Sequence, residues 1–313
     1  MGVYMKRFNP QALVTLWNVE RLGSFSAVAR ENGWSQPAIS QQIKKLEEDC
    51  GMTLVRRTAS GVELTQAGLT CARHGQLIDS RLTQVVEDLQ HLRSDHSSHI
   101  RLVAPPSACS TFIARVLVHM SWSSDVRVTL TQMEPPEAMA SLSQGSVDCA
   151  ITFRYNALPE FMQSHEDFNM EQFGRDPLLL LVRKSSDVAK DYQRNRQAVN
   201  LSSVQSQQWI AGCTMCQANL LRLSQAAGFT PNITHSTDDY WATQNLVEVG
   251  MGVSIVPRLA TLTHVRESLE ACPIRDANAF RSVFFVMRRG DDRPSLRQVR
   301  AEVRRAARKY LLE

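Results

Sequence analysis

Gln36, Pro37, Ser40, Gln41 and Lys44 recur at a spacing that puts them on one side of a helix, while Ile39, Ile43 and Leu46 follow the i, i+4, i+7 rule on the other. Amides and hydroxyls of that kind can pair with the edges of nucleic-acid bases, and an ammonium group can meet a phosphate. A second set of reactive groups is Cys213 and Cys216, two thiols three residues apart at an expected helix start, where partial positive charge favours a thiolate. A third is hydroxyl-rich: Ser107 and Ser110, with Cys109 between them, follow one apolar run, as Gly212, Cys213 and Thr214 follow another.

The polar row needs an element to present it. Ser24 and Ser35 each precede an apolar-periodic run and can accept from the free N–H groups of a first helical turn. Between the two runs lies Asn32-Gly33, where glycine admits the positive φ of a tight turn. Two short helices joined this way make a helix-turn-helix whose second helix fits a major groove. An ordinary solvated helix is the plain alternative, and the agreement of caps, turn and core weighs against it. Downstream, residues 54–65 read as two strands around a Ser-Gly turn, a wing whose Arg56 and Arg57 can lie against the phosphate backbone. Upstream, Asn9 can cap a helix with Pro10 at its first position and Leu13, Leu16 and Trp17 on the buried side.

These stretches resemble the N-terminal signature of LysR-type transcriptional regulators: Phe25 to Ala29, Ser35 to Glu47, and Val62 to Gly68 match in order and spacing without gaps. The resemblance implies a winged helix-turn-helix that binds double-stranded DNA as a homodimer or homotetramer and a C-terminal domain that responds to a small molecule, with RNA polymerase as a further partner. By position it assigns Gln36, Pro37, Ser40 and Gln41 to bases and Arg57 to phosphate or the minor groove, beside Ser35, Lys44 and Arg56 from the reading above. Val55 stands where the family commonly has an aromatic, which predicts looser wing packing. Gln41 stands where many members have arginine, so the preferred bases are left open.

Charge is not concentrated on this head. Residues 1–65 hold eight Lys or Arg against six acids, so non-specific DNA affinity should be modest. Residues 288–313 hold nine basic side chains against four acidic ones, a balance that matches a solvated terminal helix better than a second nucleic-acid patch. No stretch approaches the ~20 apolar residues of a membrane span, and the N-terminus lacks the apolar core of a secretory signal, so a cytoplasmic protein without membrane contact is expected. Seven cysteines without framework spacing read as reduced thiols.

From Thr65 to about Arg93, Ile78, Leu82, Val85, Leu89 and Leu92 alternate gaps of four and three, the period of a coiled coil. Arg81, Gln84, Glu87 and Asp88 cover the other side, so the seam calls for a partner helix. A dimerising linker predicts a partly palindromic operator.

Beyond Ser94 to Ser98, short apolar runs alternate with helical segments, as in an α/β fold. Strands are expected at 100–104, 126–133, 149–153, 178–182, 208–211, 253–256 and 283–287, and helices at 110–120, 136–144, 217–227 and 240–248, which suggests a parallel sheet. Leu142 through Asp148, Ala227-Gly228-Phe229 and Leu246 through Pro257 resemble the effector domain of the same regulators, two α/β lobes like those of a periplasmic solute-binding protein. The expected organisation is a DNA-binding domain over 1–65, a linker helix over 66–93 and an effector domain over 99–313, lobe one at about 99–165 and 270–313 and lobe two at about 172–265.

Ligands in such sheets lie beyond the carboxyl ends of strands. That nominates Ser107, Cys109, Ser110, Gly212, Cys213 and Thr214 for an anionic or reactive effector, with helix capping the plainer role of the serines. Cys109 could equally sense electrophiles. Asp238 and Asp239 read as ordinary residues at the start of a helix. Cys213 and Cys216 are compatible with a reversible disulfide, and plain structural thiols are the commoner outcome. A zinc site needs two more ligands, and neither His235 nor Cys272 is spaced to supply them, so no metal or cofactor is expected. The chain has no Gly-x-Ser-x-Gly elbow, P-loop, His-Glu-x-x-His or dinucleotide fingerprint, so no catalytic residue is assigned. A solute-binding protein without a DNA role is the remote alternative. Effector binding is expected to change the angle between lobes and, through it, the spacing of DNA half-sites.

Overall fold

The computed structural model describes residues 8–58, 61–93, 99–155 and 167–312. The chain forms two compact units, one of Met1–Asp95 with Ser143–Ser146 and one of His96–Leu142 with Val147–Glu313.

In the first unit, α1 (Pro10–Leu22), α2 (Phe25–Asn32) and α3 (Gln36–Cys50) precede strands β1 (Val55–Thr58) and β2 (Gly61–Leu64), and α4 (Gln66–Arg93) follows. Caps set the boundaries: the side chain of Asn9 accepts from Gln11 N, that of Ser24 from Ala27 N and that of Ser35 from Ala38 N. Gly33 ends α2 with φ 67°, the left-handed geometry expected of the turn. Leu16, Val19, Val28, Ile39, Ile43, Leu46 and Leu54 are buried together and fix how the three helices cross. Gly75 of α4 lets that helix approach α1, because a Cβ built on it would lie 2.0 Å from the Leu13 carbonyl oxygen.

The second unit is a two-lobed α/β fold. Lobe one begins with β3 (His99–Ala104), which leads through α5 (Pro106–Ala108) and a π-helical turn (Cys109–Ile113) into α6 (Ala114–Ser123); β4 (Arg127–Gln132), α7 (Pro135–Gln144) and β5 (Cys149–Tyr155) follow. β6 (Phe168–Arg183) carries the chain into lobe two, which holds α8 (Asp187–Asn195), a 3-10 turn (Leu201–Val204), β7 (Gln208–Ala211), α9 (Thr214–Ala226), β8 (Asn232–Ser236), α10 (Tyr240–Glu248), β9 (Val253–Pro257), α11 (Arg258–Thr261) and β10 (Leu269–Pro273). β11 (Phe280–Arg288) and α12 (Pro294–Ala307) return to lobe one.

The strands run in the order β4-β3-β5-β11-β6-β9-β7-β8, with β10 also on β6. The sheet is mixed, which corrects the expectation of a parallel sheet. β3, β4 and β5 are parallel, as are β7, β8 and β9, but β6, β10 and β11 pair antiparallel. The reason is topological: a strand leaving one lobe enters the next from the opposite end. β6 pairs with β11 as far as Pro177 and with β9 from Leu178, so the outward crossing falls there, and the return lies between Pro273 and Phe280. Both crossings fall slightly later than the sequence suggested, because the first half of β6 alternates polar Asn169, Glu171 and Arg175 with Phe168, Met170 and Phe173 and lacks a solid apolar run. The strands β8 and β10 were hidden for the same reason.

The basic C-terminal helix is solvated on one side only. Leu296, Val299, Val303 and Ala307 of α12 are buried in the main core, and outward arginines pair with acids, Arg304 with Glu171 and Arg305 with Glu302. Part of the positive charge of this helix is thereby paired within the fold.

Candidate nucleic-acid face and effector crevice

On α3, Gln36, Pro37, Gln41 and Lys44 are exposed and Ser40 is half-buried, while Ile39, Ile43 and Leu46 are sealed beneath them. Ser35 is spent on the cap, so its hydroxyl serves the helix first. Glu47 ties the wing to this helix, since its Oε1 accepts from Leu54 N at 2.7 Å and Val55 N at 3.2 Å. Val55 is half-buried against the core despite lacking an aromatic ring. Arg56 projects from β1 as an exposed side chain whose Cα partner is Glu63. The backbone of Arg57 pairs with Val62, and its side chain lies outside the described residues. Along α4, Ile78 packs on the core, whereas Leu82, Val85, Val86 and Leu89 are each more than half exposed; the side chains of Gln84, Glu87, Asp88 and Leu92 lie outside the described residues.

In the second unit the groups that could do chemistry converge where the lobes meet. Arg281, on β11, is buried; its Nε donates to Asp176 Oδ2 at 3.0 Å and its Nη2 to Ser107 Oγ at 2.5 Å. Asp176 Oδ1 accepts from Leu259 N at 3.0 Å, which fastens α11 to the crossing strand. Burial pushes the Asp176 carboxyl upward against the pull of Arg281. Beside this pair, Tyr155 donates to the Cys216 sulfur at 3.3 Å, and the Cys213 and Cys216 sulfurs are 3.0 Å apart. Hydrogen bonding from Cys213, then from Tyr155, and the charge of Arg281 hold the Cys216 thiol below its ordinary value against the effect of burial. Cys213, as the donor of the pair, is pushed upward. A neighbouring thiol, a phenol and a guanidinium thus surround the Cys216 sulfur, and all three favour its ionised form.

Glu134, from the loop after β4, brings its carboxylate to Cys213, and Asp238, from the loop before α10, joins them: one donor atom from each of the three lies within 4.8 Å of the others. Burial raises both carboxyls, and the negative charge of Asp238 raises Glu134 further. An adjoining cavity of about 400 Å³ is lined from lobe one by Pro106, Ser110 and Gln132 and from lobe two by Asp238, Tyr240 and Trp241.

The serine and thiol candidates therefore divide. Ser107 is sealed under Arg281 and Tyr240, Ser110 faces the cavity, and neither caps α5, whose N-cap is Pro105. Cys109 donates to the Ala104 carbonyl, and burial pushes its thiol up to about 11, which argues against an electrophile-sensing role. Gly212 lies against Cys216 and Asp238, and Thr214 is exposed at the first turn of α9. Asp239 caps α10 by accepting from Trp241 N and Ala242 N, while Asp238 belongs to the thiol cluster. Glu134, Tyr155, Asp176 and Arg281 are absent from the sequence candidates. The available signal was positional: Glu134 and Tyr155 lie at or just beyond the carboxyl ends of β4 and β5, where ligands gather.

The model of the bacterial regulatory helix-turn-helix proteins of the lysR family matches residues 10–69, and that of the LysR substrate binding domain matches residues 93–308. The HTH-type transcriptional regulator AlsR of Bacillus subtilis (strain 168) is 25% identical over 241 residues, covering 75% of this chain and 76% of that protein. YnfL of Escherichia coli (strain K12), an uncharacterized HTH-type transcriptional regulator, is 26% identical over 299 residues, 92% of this chain and 95% of its own. The fold is also that of full-length CbnR solved with its target DNA, at a TM-score of 0.62 and 18% identity, covering 95% of this chain and 99% of that one.

Proposed function

Because the chain belongs to the lysR family and is a DNA-binding transcriptional regulator with an effector-binding domain, we propose that α3 reads its operator and that the interlobe crevice holds the signal. The observation that carries the first part is the pairing of a sealed apolar face, Ile39, Ile43 and Leu46, with an exposed row of Gln36, Pro37, Gln41 and Lys44 on one helix. Gln36, Ser40 and Gln41 contact base edges, and Lys44, Arg56 and Arg57 contact phosphates. The unburied seam on α4 pairs with a second copy, so the operator is partly palindromic and the active species a homodimer or homotetramer. The role is binding without turnover. No helix among the described residues is long and apolar enough to cross a membrane, and the protein works beside the chromosome in the cytoplasm.

Selection of bound fragments from a random duplex pool tests this reading. Wild-type protein should enrich a two-half-site sequence, Gln36→Ala and Gln41→Ala should relax the preference at defined positions, and Lys44→Ala should weaken all sequences alike, reducing the salt slope by about one. No enrichment by the wild type at low salt removes the regulatory assignment.

The 3.0 Å approach of Cys213 and Cys216 favours a second reading, in which the crevice senses oxidation. A hydroperoxide would join the two sulfurs, both thiol hydrogens leaving in the water and alcohol formed as its O–O bond breaks. Peroxide treatment should then lower the mass by two hydrogens and alter DNA affinity, and Cys216→Ser should abolish both changes.

A further inference from the structure

We propose that Glu134, Cys213 and Asp238, with Cys216 beside them, form a binding site for a thiophilic divalent cation of the Zn²⁺ type, and that this ion joins the two lobes. The proposal rests on the crevice being the effector site and specifies the class of ligand it takes. A single Cys-x-x-Cys pair lacks two ligands for a tetrahedral metal, and the fold instead gathers one of its thiols, Cys213, with two carboxylates from other segments, a set of three protein donors. The donor set joins sulfur with oxygen. Thiolates favour Zn²⁺ over Mg²⁺ or Ca²⁺, and the carboxylates balance its charge.

Three observations point to a cation there. One carboxylate oxygen from each of Glu134 and Asp238 lies with the Cys213 sulfur in a group whose atoms are all within 4.8 Å of one another, so three metal-ligating atoms are brought together. The Glu134 carboxyl takes a hydrogen bond from Cys213, yet its Oε2 is buried with no hydrogen-bond partner among the described residues, and an unpartnered buried oxygen is costly in a way that metal coordination would relieve. The cation that acts on Glu134, Arg281, is already committed to Asp176 at 2.9 Å. The backbone leaves room as well: a Cβ on Gly212 would stand 3.3 Å from the Cys216 sulfur and 3.7 Å from Asp238 Oδ1, so a side chain here would crowd the donors.

Placement gives the ion its consequence. Glu134 follows β4 of lobe one, whereas Cys213, Cys216 and Asp238 all belong to lobe two. A metal bound to Glu134, Cys213 and Asp238 favours one interlobe angle and stabilises it by its binding free energy. Tyr155 is hydrogen-bonded to the Cys216 sulfur, which in turn meets the Cys213 sulfur, so both are placed to orient the Cys213 donor.

The test uses the full-length chain kept reduced with a phosphine. Zn²⁺ is titrated against a chromophoric chelator, and Co²⁺ is added separately as a spectroscopic probe. One Zn²⁺ per chain is expected, with a thiolate-to-cobalt charge-transfer band for Co²⁺. Cys213→Ser should remove the band, and Cys213→Ser and Glu134→Gln should each weaken Zn²⁺ at least about tenfold. Cys109→Ser should bind like the wild type, which separates the site from general thiol affinity. Circular dichroism of each variant confirms that it is folded. Failure of the reduced wild type to bind Zn²⁺, or unaltered binding by folded Cys213→Ser, overturns the site; unaltered binding by Glu134→Gln overturns the joining of the lobes. Duplex selection, done without metal, reports separately on the regulator reading, and disulfide formation in a protein that ignores Zn²⁺ would leave the oxidation reading in its place.

Discussion

Asp176 and Arg281 are Cα partners in adjacent antiparallel strands, one residue before Pro177, where β6 leaves its pairing with β11 and enters the second lobe. Their side chains are 0% and 1% exposed, and Arg281 also covers the Phe153 ring at 4.3 Å. The crossing between lobes is thus built around a sealed ion pair that also holds Ser107 and Leu259 N. Removing one member of such a pair leaves the other uncompensated, which costs about 3–5 kcal/mol. Arg281→Met should therefore lower the urea midpoint of the second unit strongly. Arg281→Met with Asp176→Leu should recover part of the loss, and additive losses in that double variant would show the pair to be uncoupled.

Gly75 should resist any side chain. The Cβ of Gly75→Ala would meet the Leu13 carbonyl oxygen at 2.0 Å, and backbone on both sides has little freedom to withdraw. A loss of about 1–3 kcal/mol is expected from the resulting shift of α4 on α1, read as a lower melting temperature. Arg73→Ala, on an exposed position of the same helix, should leave it within about 0.5 kcal/mol.

Stability should depend on pH through Asp148 and Glu134 in opposite senses. Burial works against the Asp148 carboxylate, but hydrogen bonds from Arg101 and then Arg293 hold it below its ordinary 3.8. Its contribution is present above 3.8 and is lost as the pH falls through the lower folded value. Glu134 lies above its ordinary 4.5, so the stability its neutral form retains below 4.5 is lost as the pH rises through the raised folded value. Urea midpoints measured from acid to neutral pH should show a shallower acid loss for Asp148→Asn and, at neutral pH, a gain for Glu134→Gln. A steeper acid loss in Asp148→Asn would reverse the sign assigned to it.

The linker seam should control assembly. Leu82→Asp with Leu89→Asp places charge where two apolar side chains stand 55% and 54% exposed, so sedimentation should shift toward monomer. Affinity for a two-half-site duplex should fall with it. Unchanged mass would place the dimer contact elsewhere.

The reading head was legible residue by residue because its determinants are local. Ser24 and Ser35 cap within three residues of themselves, Gly33 turns in place, and Ile39, Ile43 and Leu46 meet the core through helical periodicity alone. Gln208–Ala211 and Tyr240–Glu248 were bounded correctly for the same reason, as a compact apolar run and a capped periodic one. The crevice was different. The Arg281 contact to Asp176 spans 105 residues and that to Ser107 spans 174, and no periodicity links positions so far apart. Cys213 and Cys216 drew notice as a motif, but their meaning depends on Glu134, Tyr155 and Asp238, which are ordinary residues until folding collects them. Side-chain patterns a few residues apart fix helices, turns and caps through short-range sterics and hydrogen bonds. Convergence of charge between lobes arises from long-range strand pairing, and the antiparallel course of β6 and β11 was the step that placed those groups together.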